Sequence, residues 1–330
     1  MSIMTDSPIR FPGLFGDWAF TASSTAFHIG GKAIYWYGIL IALGVLAALA
    51  FCIKQKERYG IKEDDLMDGV LWGVPLAIVG ARLYYVLFYL DRFKKEDGSF
   101  DWAESVAIWD GGLAIYGGVI AAVLVCLVLS KKRGFKLGAL TDLVVMGLLI
   151  GQAIGRWGNF MNREAFGAPT DSFLRMGLYN TLTGQTEYYH PTFLYESVWN
   201  LCGFVLLHFL SKRRKYDGQI ALCYAAWYGL GRCIIEGLRM DSLYWGSFRV
   251  SQLLAAASCV AAVTVLLVEA FRPHDPARLA VNRAAAQAAE AAEEIPEASK
   301  TPEAEEAAET TESTEAPESD DSAATDSQNT

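Results

Sequence analysis

The sequence lacks the cysteine and histidine patterns that disulfides, metal sites and thiol nucleophiles require. Its six cysteines lie in or at the ends of apolar stretches, and none belongs to a Cys-x-x-Cys pair. Its four histidines are scattered and show no metal-ligand spacing. We interpret the cysteines as small packing residues. The sequence therefore predicts neither a bound metal nor another cofactor.

Three further signals are missing. There is no basic face with interleaved aromatic residues, so nucleic acid is not an expected partner. Residues 1–32 have no basic start followed by an apolar core and a small-residue cleavage site, so we expect no removable signal peptide. No internal repeat is visible, which argues against many transporter architectures.

The net charge of −9 is distributed unevenly. Residues 273–330 contain 15 acidic and 3 basic residues, whereas residues 1–272 contain 22 acidic and 25 basic residues. The C-terminal stretch consists mainly of Ala, Glu, Thr, Ser and Pro, a composition that cannot bury a core. We predict a disordered acidic tail, with a transient helix over 281–294. Truncation after about residue 275 is expected to leave activity intact.

Hydrophobic residues make up 52% of the chain and are gathered into long blocks. Seven blocks have roughly membrane-spanning length, at about 33–53, 66–90, 112–130, 139–157, 192–210, 219–237 and 250–271. Isolated charges within them do not cancel this interpretation. The prediction is an all-α polytopic membrane protein with seven transmembrane helices, a small extracytoplasmic head and a disordered acidic C-terminal tail.

Basic residues set the predicted orientation. The short connections 54–62, 131–136 and 212–215 are rich in lysine and arginine and should be cytoplasmic. The N-terminus is then outside and the tail inside. The predicted domains are an extracytoplasmic segment 1–32, a seven-span membrane catalytic domain 33–272, and a cytoplasmic tail 273–330. Within the membrane domain, residues 158–191 form an outer head with a hairpin around Thr183-Gly184.

Polar groups gather at the end of the fourth apolar block. Arg156 lies on its last turn, and Asn159, Asn162 and Glu164 follow within two turns. A charge at a membrane boundary is costly and usually marks a site. This stretch alone is equally compatible with a snorkelling arginine that has a polar cap.

The sixth block carries a second polar stripe. Tyr228, Arg232, Glu236 and Arg239 are spaced by four, four and three residues, within about 80° of one helix face. A structural Arg–Glu pair is the alternative interpretation of this spacing. With the predicted orientation, polar residues from five spans share the outer leaflet: Arg82, Tyr116, Arg156, Asn159, Glu164, Tyr195, Glu196, Tyr228, Arg232 and Glu236. They predict an outward-facing cationic pocket for an anionic lipid head group or phosphate.

At these residues the chain resembles the prolipoprotein diacylglyceryl transferase family, over about residues 33–271. The matching stretches are Trp36-Tyr37-Gly38, Gly80-Ala81-Arg82, Gly111-Gly112-Leu113, Tyr116-Gly117-Gly118, Gly155-Arg156-x-Gly158-Asn159-Phe160-x-Asn162-x-Glu164-x-x-Gly167, His190-Pro191-x-x-Leu194-Tyr195-Glu196 and Tyr228-x-x-x-Arg232-x-x-x-Glu236-x-x-Arg239. The motif over 155–167 is long and specific. The acidic tail has no counterpart in this pattern.

The resemblance implies a reaction and its partners. The family transfers the diacylglyceryl group of phosphatidylglycerol to the lipobox cysteine thiol of a prolipoprotein signal peptide. The products are a thioether and glycerol phosphate, in the first step of bacterial lipoprotein maturation. The implied location is the bacterial inner (cytoplasmic) membrane, as a multi-pass protein in the bilayer with its site toward the outer face. Some members carry histidine at the position of Tyr116, so a base role for that histidine does not carry over.

The chemistry suits the residues present. The nucleophilic thiolate belongs to the substrate, so the enzyme mainly needs cations where leaving-group charge develops. We assign catalysis to Arg156, Arg232, Tyr116 and Tyr37. The predicted substrate-binding residues are Asn159, Glu164, Gly167, Arg82, Tyr228, Glu236, Arg239 and Tyr195. A membrane transporter for an anionic solute is the main alternative, and an inert membrane scaffold is a third.

Overall fold

The computed structural model describes residues 3–4, 6–95, 97–240, 244–246 and 248–293. Within the described chain, residues up to Ala285 form one compact unit, and residues from Ala286 onward lie outside it. The α-helices are α1 Pro12–Phe15, α2 Trp36–Gln55, α3 Glu63–Phe88, α4 Trp102–Val106, α5 Ile115–Arg133, α6 Leu137–Asn162, α7 Thr192–Ser211, α8 Gln219–Glu236, α9 Val250–Ala270 and α10 Ala280–Glu293. The strands are β1 Ile9–Arg10, β2 Ala19–Phe20, β3 Thr25–Ile29, β4 Lys32–Tyr35, β5 Met176–Asn180, β6 Gln185–Tyr189, β7 Tyr244–Trp245 and β8 Phe248–Arg249.

Six helices of the described chain are long and apolar enough to cross a membrane: α2 with the 3-10 turn that follows it, α3, α5, α6, α7 and α9. The predicted sixth span is also helical, as α8, but Arg232 and Glu236 lower its apolar character and it is not among the six. Many side chains that face outward are apolar, such as Leu71, Val79 and Val260 at 66%, 59% and 66% exposure. A water-soluble protein rarely exposes so much apolar surface, and lipid requires it. The protein is therefore a polytopic membrane protein.

Helix α6 is the centre of the bundle. Half of its apolar window is buried, against 6–33% for the other five candidate spans. It packs against α2 on one side and against α7 and α8 on the other. Close approach to α2 depends on glycine, since a Cβ at Gly44 would lie 3.0 Å from the carbonyl oxygen of Gly151. Small residues are what allow helices to pack this closely in lipid.

The three basic connections meet at one end of the bundle, as the predicted topology requires. Arg214, which follows α7, donates from Nη2 to the carbonyl of Arg58 at 2.9 Å. Its guanidinium also lies 4.4 Å from the ring centre of Tyr59. Lys136, which precedes α6, pairs with Asp217 at 3.3 Å. Arg156, Glu196 and the C-terminal end of α8 lie at the opposite end.

The opposite end of this mostly helical chain carries a small β-rich head. Strands β5 and β6 form the predicted hairpin, with Met176 paired to Tyr189 and Asn180 paired to Gln185. Strand β1 from the N-terminal segment pairs with β5, giving an antiparallel sheet in the order β2-β1-β5-β6. Ile9 and Phe11 join Met176, Leu178 and Tyr189 in its core. The N-terminal segment and the outer head, predicted as separate regions, therefore fold together.

The compact unit extends to Ala285, beyond the boundary predicted after residue 272. Residues 272–285, which we call the C-terminal strap, pack across the basic end of the bundle. Ala280 is 7% exposed in a core cluster with Cys52, Tyr59, Leu140 and Leu143. Its N–H donates to Asp217 Oδ2 at 2.9 Å, and Lys136 donates to the carbonyl of Arg278. Of the predicted disordered tail 273–330, residues 294–330 lie outside the described chain.

Candidate functional site

Glu196 is the centre of a cluster of charges at the head end of the bundle. It lies on the second turn of α7, and its side chain is 6% exposed. Its Oε2 is 2.6 Å from Arg156 Nη2, and its Oε1 is 3.1 Å from Arg232 Nη1. Arg239 Nη1 approaches the same Oε1 at 3.6 Å. One carboxylate therefore collects three arginines, which come from α6, α8 and the segment after α8.

Glu236 completes the cluster. Arg232 Nη2 pairs with Glu236 Oε2 at 2.6 Å, one turn along α8, and Glu236 is 2% exposed. Arg249, just before α9, donates to the main-chain carbonyl of Glu236. The ionised side chains of Arg156, Arg232, Arg239, Glu196 and Glu236 sum to one positive charge. The stripe on α8 thus contains a helix-internal pair, Arg232 with Glu236, and also belongs to a network between helices.

A row of amides extends from Arg156 toward the end of α6. Arg156 Nη1 donates to Asn159 Oδ1 at 3.3 Å, and Asn159 Nδ2 donates to Glu164 Oε1 at 2.9 Å. Asn162 Nδ2 donates to the same oxygen at 3.3 Å. An amide between a cation and an anion presents its oxygen to the first and its nitrogen to the second. Four residues of the 155–167 motif thus form one continuous network.

This row ends at a cleft of about 850 Å³. Its polar side is lined by Asn162, Glu164 and Tyr37, and its apolar side by the start of α2, including Ile39 and Ala42. Tyr37 packs against α6, because a Cβ at Gly158 would lie 2.8 Å from the Tyr37 ring. Because Gly158 has no side chain, the Tyr37 ring can contact α6 at a position two residues along the helix from Arg156. A cleft with one polar and one apolar side suits an amphiphile.

Arg163 holds the loop that carries Glu164. It caps α6 with φ 53°, and Ala165 has φ 55°. Both residues thus adopt the left-handed backbone conformation, which is uncommon for residues other than glycine. The Arg163 guanidinium is buried and donates to the carbonyls of Ser7 and Ala22, with distances of 2.7 and 2.5 Å from Nη2. Burial lowers the pKa of this guanidinium, and nearby Asp6 opposes that shift. The N-terminal segment thereby fixes the end of α6.

Gly167 has a packing position rather than an open one. Its N–H donates to the carbonyl of His190 at 2.9 Å, and it pairs with Arg239 as an isolated β-bridge. A Cβ there would meet the Leu238 carbonyl oxygen at 2.9 Å and the His190 Cβ at 2.7 Å. The glycine allows the head, the start of α7 and the end of α8 to meet, which brings Arg239 to Glu196.

Other predicted site residues have different surroundings. His190 Nδ1 lies 3.2 Å from Tyr195 Oη, and the Tyr228 ring stacks on that of Tyr224 at 5.6 Å between centroids. Tyr116, the second residue of α5, is half-exposed, and its ring centroid is 6.4 Å from that of Tyr84. Substrate contacts for these tyrosines stay predictions.

Arg82 is bound into the connection between α3 and α5. Its side chain is buried, with Nε 2.9 Å from the Ser105 carbonyl oxygen. Nη1 donates to the carbonyls of Gly111 and Gly112, and Nη2 to that of Glu104. All three nitrogens are thus used by backbone, so the structure gives Arg82 a role in holding this loop and does not bring it to the Glu196 cluster.

The sequence pattern places Glu196 among the outer polar groups but does not predict it as a site residue, and it predicts no role for Arg163 or Asp142. Asp142 on α6 is fully buried and accepts from the N–H groups of Gly218 and Ala221 at 2.9 and 2.8 Å. It thereby caps the start of α8, whose own N-cap residue is a glycine. The sequence signal for Asp142 and Glu196 was an acidic residue within an apolar block.

Fold and site together define a polytopic membrane protein with a cationic cluster and an amphiphilic cleft beside it. A family model described as prolipoprotein diacylglyceryl transferase matches residues 24–268. The chain belongs to this family, whose members are transferases.

Curated relatives carry the same description, phosphatidylglycerol–prolipoprotein diacylglyceryl transferase. The relative from Finegoldia magna is 46% identical over 239 residues, covering 72% of this chain and 92% of its own length. The relative from Limosilactobacillus reuteri is 43% identical over 251 residues, covering 74% and 90%. The relative from Listeria welshimeri is 39% identical over 257 residues, covering 76% and 91%.

Proposed function

We propose that this protein transfers the diacylglyceryl group of phosphatidylglycerol to the lipobox cysteine of a prolipoprotein. The cysteine sulfur forms a bond to the carbon of the diacylglyceryl group that carries the phosphate. The bond from that carbon to the phosphate oxygen breaks. Glycerol phosphate leaves, and the thiol proton ends on this phosphate monoester. The products are a thioether-linked diacylglyceryl cysteine and glycerol phosphate.

The arrangement of Arg156 and Arg232 around one carboxylate is the observation that carries this proposal. Their guanidiniums come from different helices and meet at Glu196 within 2.6 and 3.1 Å. Two converging guanidiniums can bind the oxygens of a phosphate by displacing part of their contact with Glu196. The net positive charge of the cluster then favours the negative charge that accumulates on the leaving phosphate.

The cleft supports the placement of the rest of the lipid. We assign the apolar wall at α2 to the diacylglyceryl group and the polar row of Asn159, Asn162 and Glu164 to the glycerol hydroxyls. Tyr37 lines this cleft, and we assign its hydroxyl to the reaction centre. Tyr116 remains a proposed proton-transfer or phosphate-binding residue. Tyr195, Tyr228, Glu236, Arg239 and Gly167 are proposed to shape the site around the arginines.

We further propose that α8 is the seventh span and that the basic end of the bundle faces the cytoplasm. The short connections at that end are rich in lysine and arginine. The head and the arginine cluster then face outward from the cell membrane, where prolipoprotein signal peptides emerge. In this topology the charges of α8 lie inside the bundle, paired with one another, as membrane interiors demand.

Purified protein incubated with phosphatidylglycerol and a lipobox peptide tests the proposal. Mass spectrometry should show a peptide that has gained one diacylglyceryl group, with equimolar release of glycerol phosphate. A peptide whose cysteine is replaced by serine is the matched control and should stay unmodified. Folded protein that forms no thioether would refute the proposal. Uptake of an anionic solute into proteoliposomes, without transfer, would favour the transporter alternative.

A further inference from the structure

Two tryptophans join α7 and α8 in a reciprocal arrangement. The indole rings of Trp199 and Trp227 stack with centroids 4.4 Å apart and planes inclined by 21°. The Nε1–H of Trp199 donates to the main-chain carbonyl of Trp227 at 3.0 Å, and the Nε1–H of Trp227 donates to that of Trp199, also at 3.0 Å. We call these two residues and their facing glycines the indole clasp.

Each tryptophan is followed four residues later by a glycine, Gly203 on α7 and Gly231 on α8. A Cβ at Gly203 would lie 2.4 Å from Trp227 Nε1, and a Cβ at Gly231 would lie 2.1 Å from Trp199 Nε1. Each indole therefore occupies the space that a side chain on the other helix would fill. The two halves of the clasp use the same residue types at the same spacing.

The clasp fixes the rotation and translation of α7 relative to α8 more tightly than apolar packing would. In lipid, apolar side chains give helices little preference for one rotation or translation over another. Two directed hydrogen bonds and two close approaches do give a preference. A shift of one residue along a helix moves it 1.5 Å and rotates its side chains by about 100°. Neither bond of the clasp survives such a change.

The clasp lies one turn from the charge cluster on both helices. Glu196 is three residues before Trp199, and Arg232 directly follows Gly231. The bond from Arg232 Nη1 to Glu196 Oε1, at 3.1 Å, therefore joins the same two helices within one turn of the clasp. The start of α8 is held separately, because Asp142 on α6 accepts from the N–H groups of Gly218 and Ala221. These two residues lie about two turns before Trp227 on α8.

We propose that Trp199 and Trp227 are positioning residues for the transfer reaction, which act by fixing the register that brings Arg232 to Glu196. This inference rests on the proposed function. Neither indole contacts the substrate in this scheme. Misplacement of a catalytic group by about 1 Å can reduce turnover by about 100-fold. Loss of the clasp should therefore lower kcat and leave the KM for phosphatidylglycerol nearly unchanged.

Trp199→Phe and Trp227→Phe test the hydrogen bonds, since phenylalanine keeps an aromatic ring but has no N–H. We expect each change to lower kcat by roughly 10- to 100-fold at matched folded concentration. Trp72→Phe, at an exposed position on α3, is the matched control and should behave like the wild type. Wild-type kcat in both clasp variants would overturn the inference.

A double-mutant cycle separates positioning from general destabilisation. If the clasp acts through Arg232, Trp227→Phe should cost less than twofold in an Arg232→Lys background, because the geometry it protects is already lost. An equal loss in both backgrounds would show that the clasp only supports the fold, and would overturn the inference.

Gly231→Ala gives a readout that does not depend on activity. This variant retains both indoles but adds a methyl group where the Trp199 ring lies, so the near-ultraviolet circular dichroism signal of the tryptophans should change from that of the wild type. An unchanged signal would overturn the geometry of the clasp. An inactive wild-type protein with the signal intact would instead contradict the proposed function and leave the clasp in place.

Discussion

Arginines in an apolar setting are subject to two opposed demands. Burial requires that each guanidinium be paired, whereas binding a phosphate requires that some of its N–H groups be available to donate to the phosphate oxygens. In the proposed function, Glu196 meets both demands for Arg156 and Arg232, because one carboxylate shared by three arginines leaves a net positive charge. Arg82 shows the contrasting case, since its nitrogens are all bound by backbone carbonyls.

Arg156→Lys and Arg232→Lys are expected to reduce thioether formation by about 10²–10³-fold, with larger losses for alanine. Lysine keeps the charge but loses the planar fork through which Arg232 contacts Glu196 with Nη1 and Glu236 with Nη2. Arg92→Lys, at an exposed position in the connection after α3, should remain active. If Arg232 only pairs with Glu236, the Arg232→Lys variant should stay active and Arg232→Ala/Glu236→Ala should recover much of the activity that Arg232→Ala loses.

Glu196→Gln should lower both turnover and thermal stability. The amide keeps the shape of the side chain but removes the charge that holds three arginines together, and breaking a buried ion pair from one side typically costs about 3–5 kcal/mol. Transfer assays and thermal unfolding in detergent measure the two effects. Glu57→Gln, an exposed change at the other end of the bundle, is the control. Wild-type values for both quantities would show that Glu196 does not organise the cluster.

Helices in this protein are joined by specific polar contacts at both ends. At the head end, the cluster links α6, α7 and α8. At the basic end, Asp142 on α6 caps α8, and Asp217 after α7 accepts from the strap. Such contacts matter in lipid because apolar faces alone give helices little specificity. The strap belongs to this set of contacts, although its composition resembles that of a linker.

Truncation within the strap should differ from truncation beyond it. A chain that ends after residue 293 keeps Ala280 in its core cluster and should match the full chain in transfer activity and stability. A chain that ends after residue 275 loses the bond from Ala280 to Asp217 and its packing against Gly60. We expect a loss of about 1–3 kcal/mol in stability, visible as a lower Tm.

Point changes make the same comparison without shortening the chain. Ala280→Asp buries a charge in the cluster and should lower the Tm, whereas Ala288→Asp lies at an exposed position and should not. Equal stability of the two truncated chains would mean that the strap contributes nothing to the fold.

At the scale of the whole molecule, the N-terminal segment holds the end of α6, where the polar side of the cleft begins. Strand β1 joins the sheet of the head, and Arg163 ties Ser7 and Ala22 to the end of α6. The residue after Arg163 is Glu164, which anchors both Asn159 and Asn162. The first thirty residues therefore contribute to the polar side of the cleft.

Arg163→Met should loosen the N-terminal segment and weaken transfer. The buried carbonyl of Ser7 and the half-buried carbonyl of Ala22 lose their partner, and an unsatisfied buried acceptor costs about 1–3 kcal/mol. We expect faster proteolysis within the first 22 residues and a reduction of turnover. Arg175→Met, elsewhere in the head, is the control. Unchanged proteolysis and turnover would show that this tie does not support the site.

The sequence by itself determined the helices, their apolar character and the motif from Arg156 to Glu164, because these are local properties of residue type and spacing. It also predicted the β5–β6 hairpin and the meeting of the three basic connections. Only the tertiary structure decided that Glu196 gathers Arg156, Arg232 and Arg239, that Arg82 binds a loop, and that the N-terminal segment and strap belong to the compact unit. Those outcomes depend on which distant groups satisfy each buried polar atom, and pairing across helices leaves no periodicity in the chain.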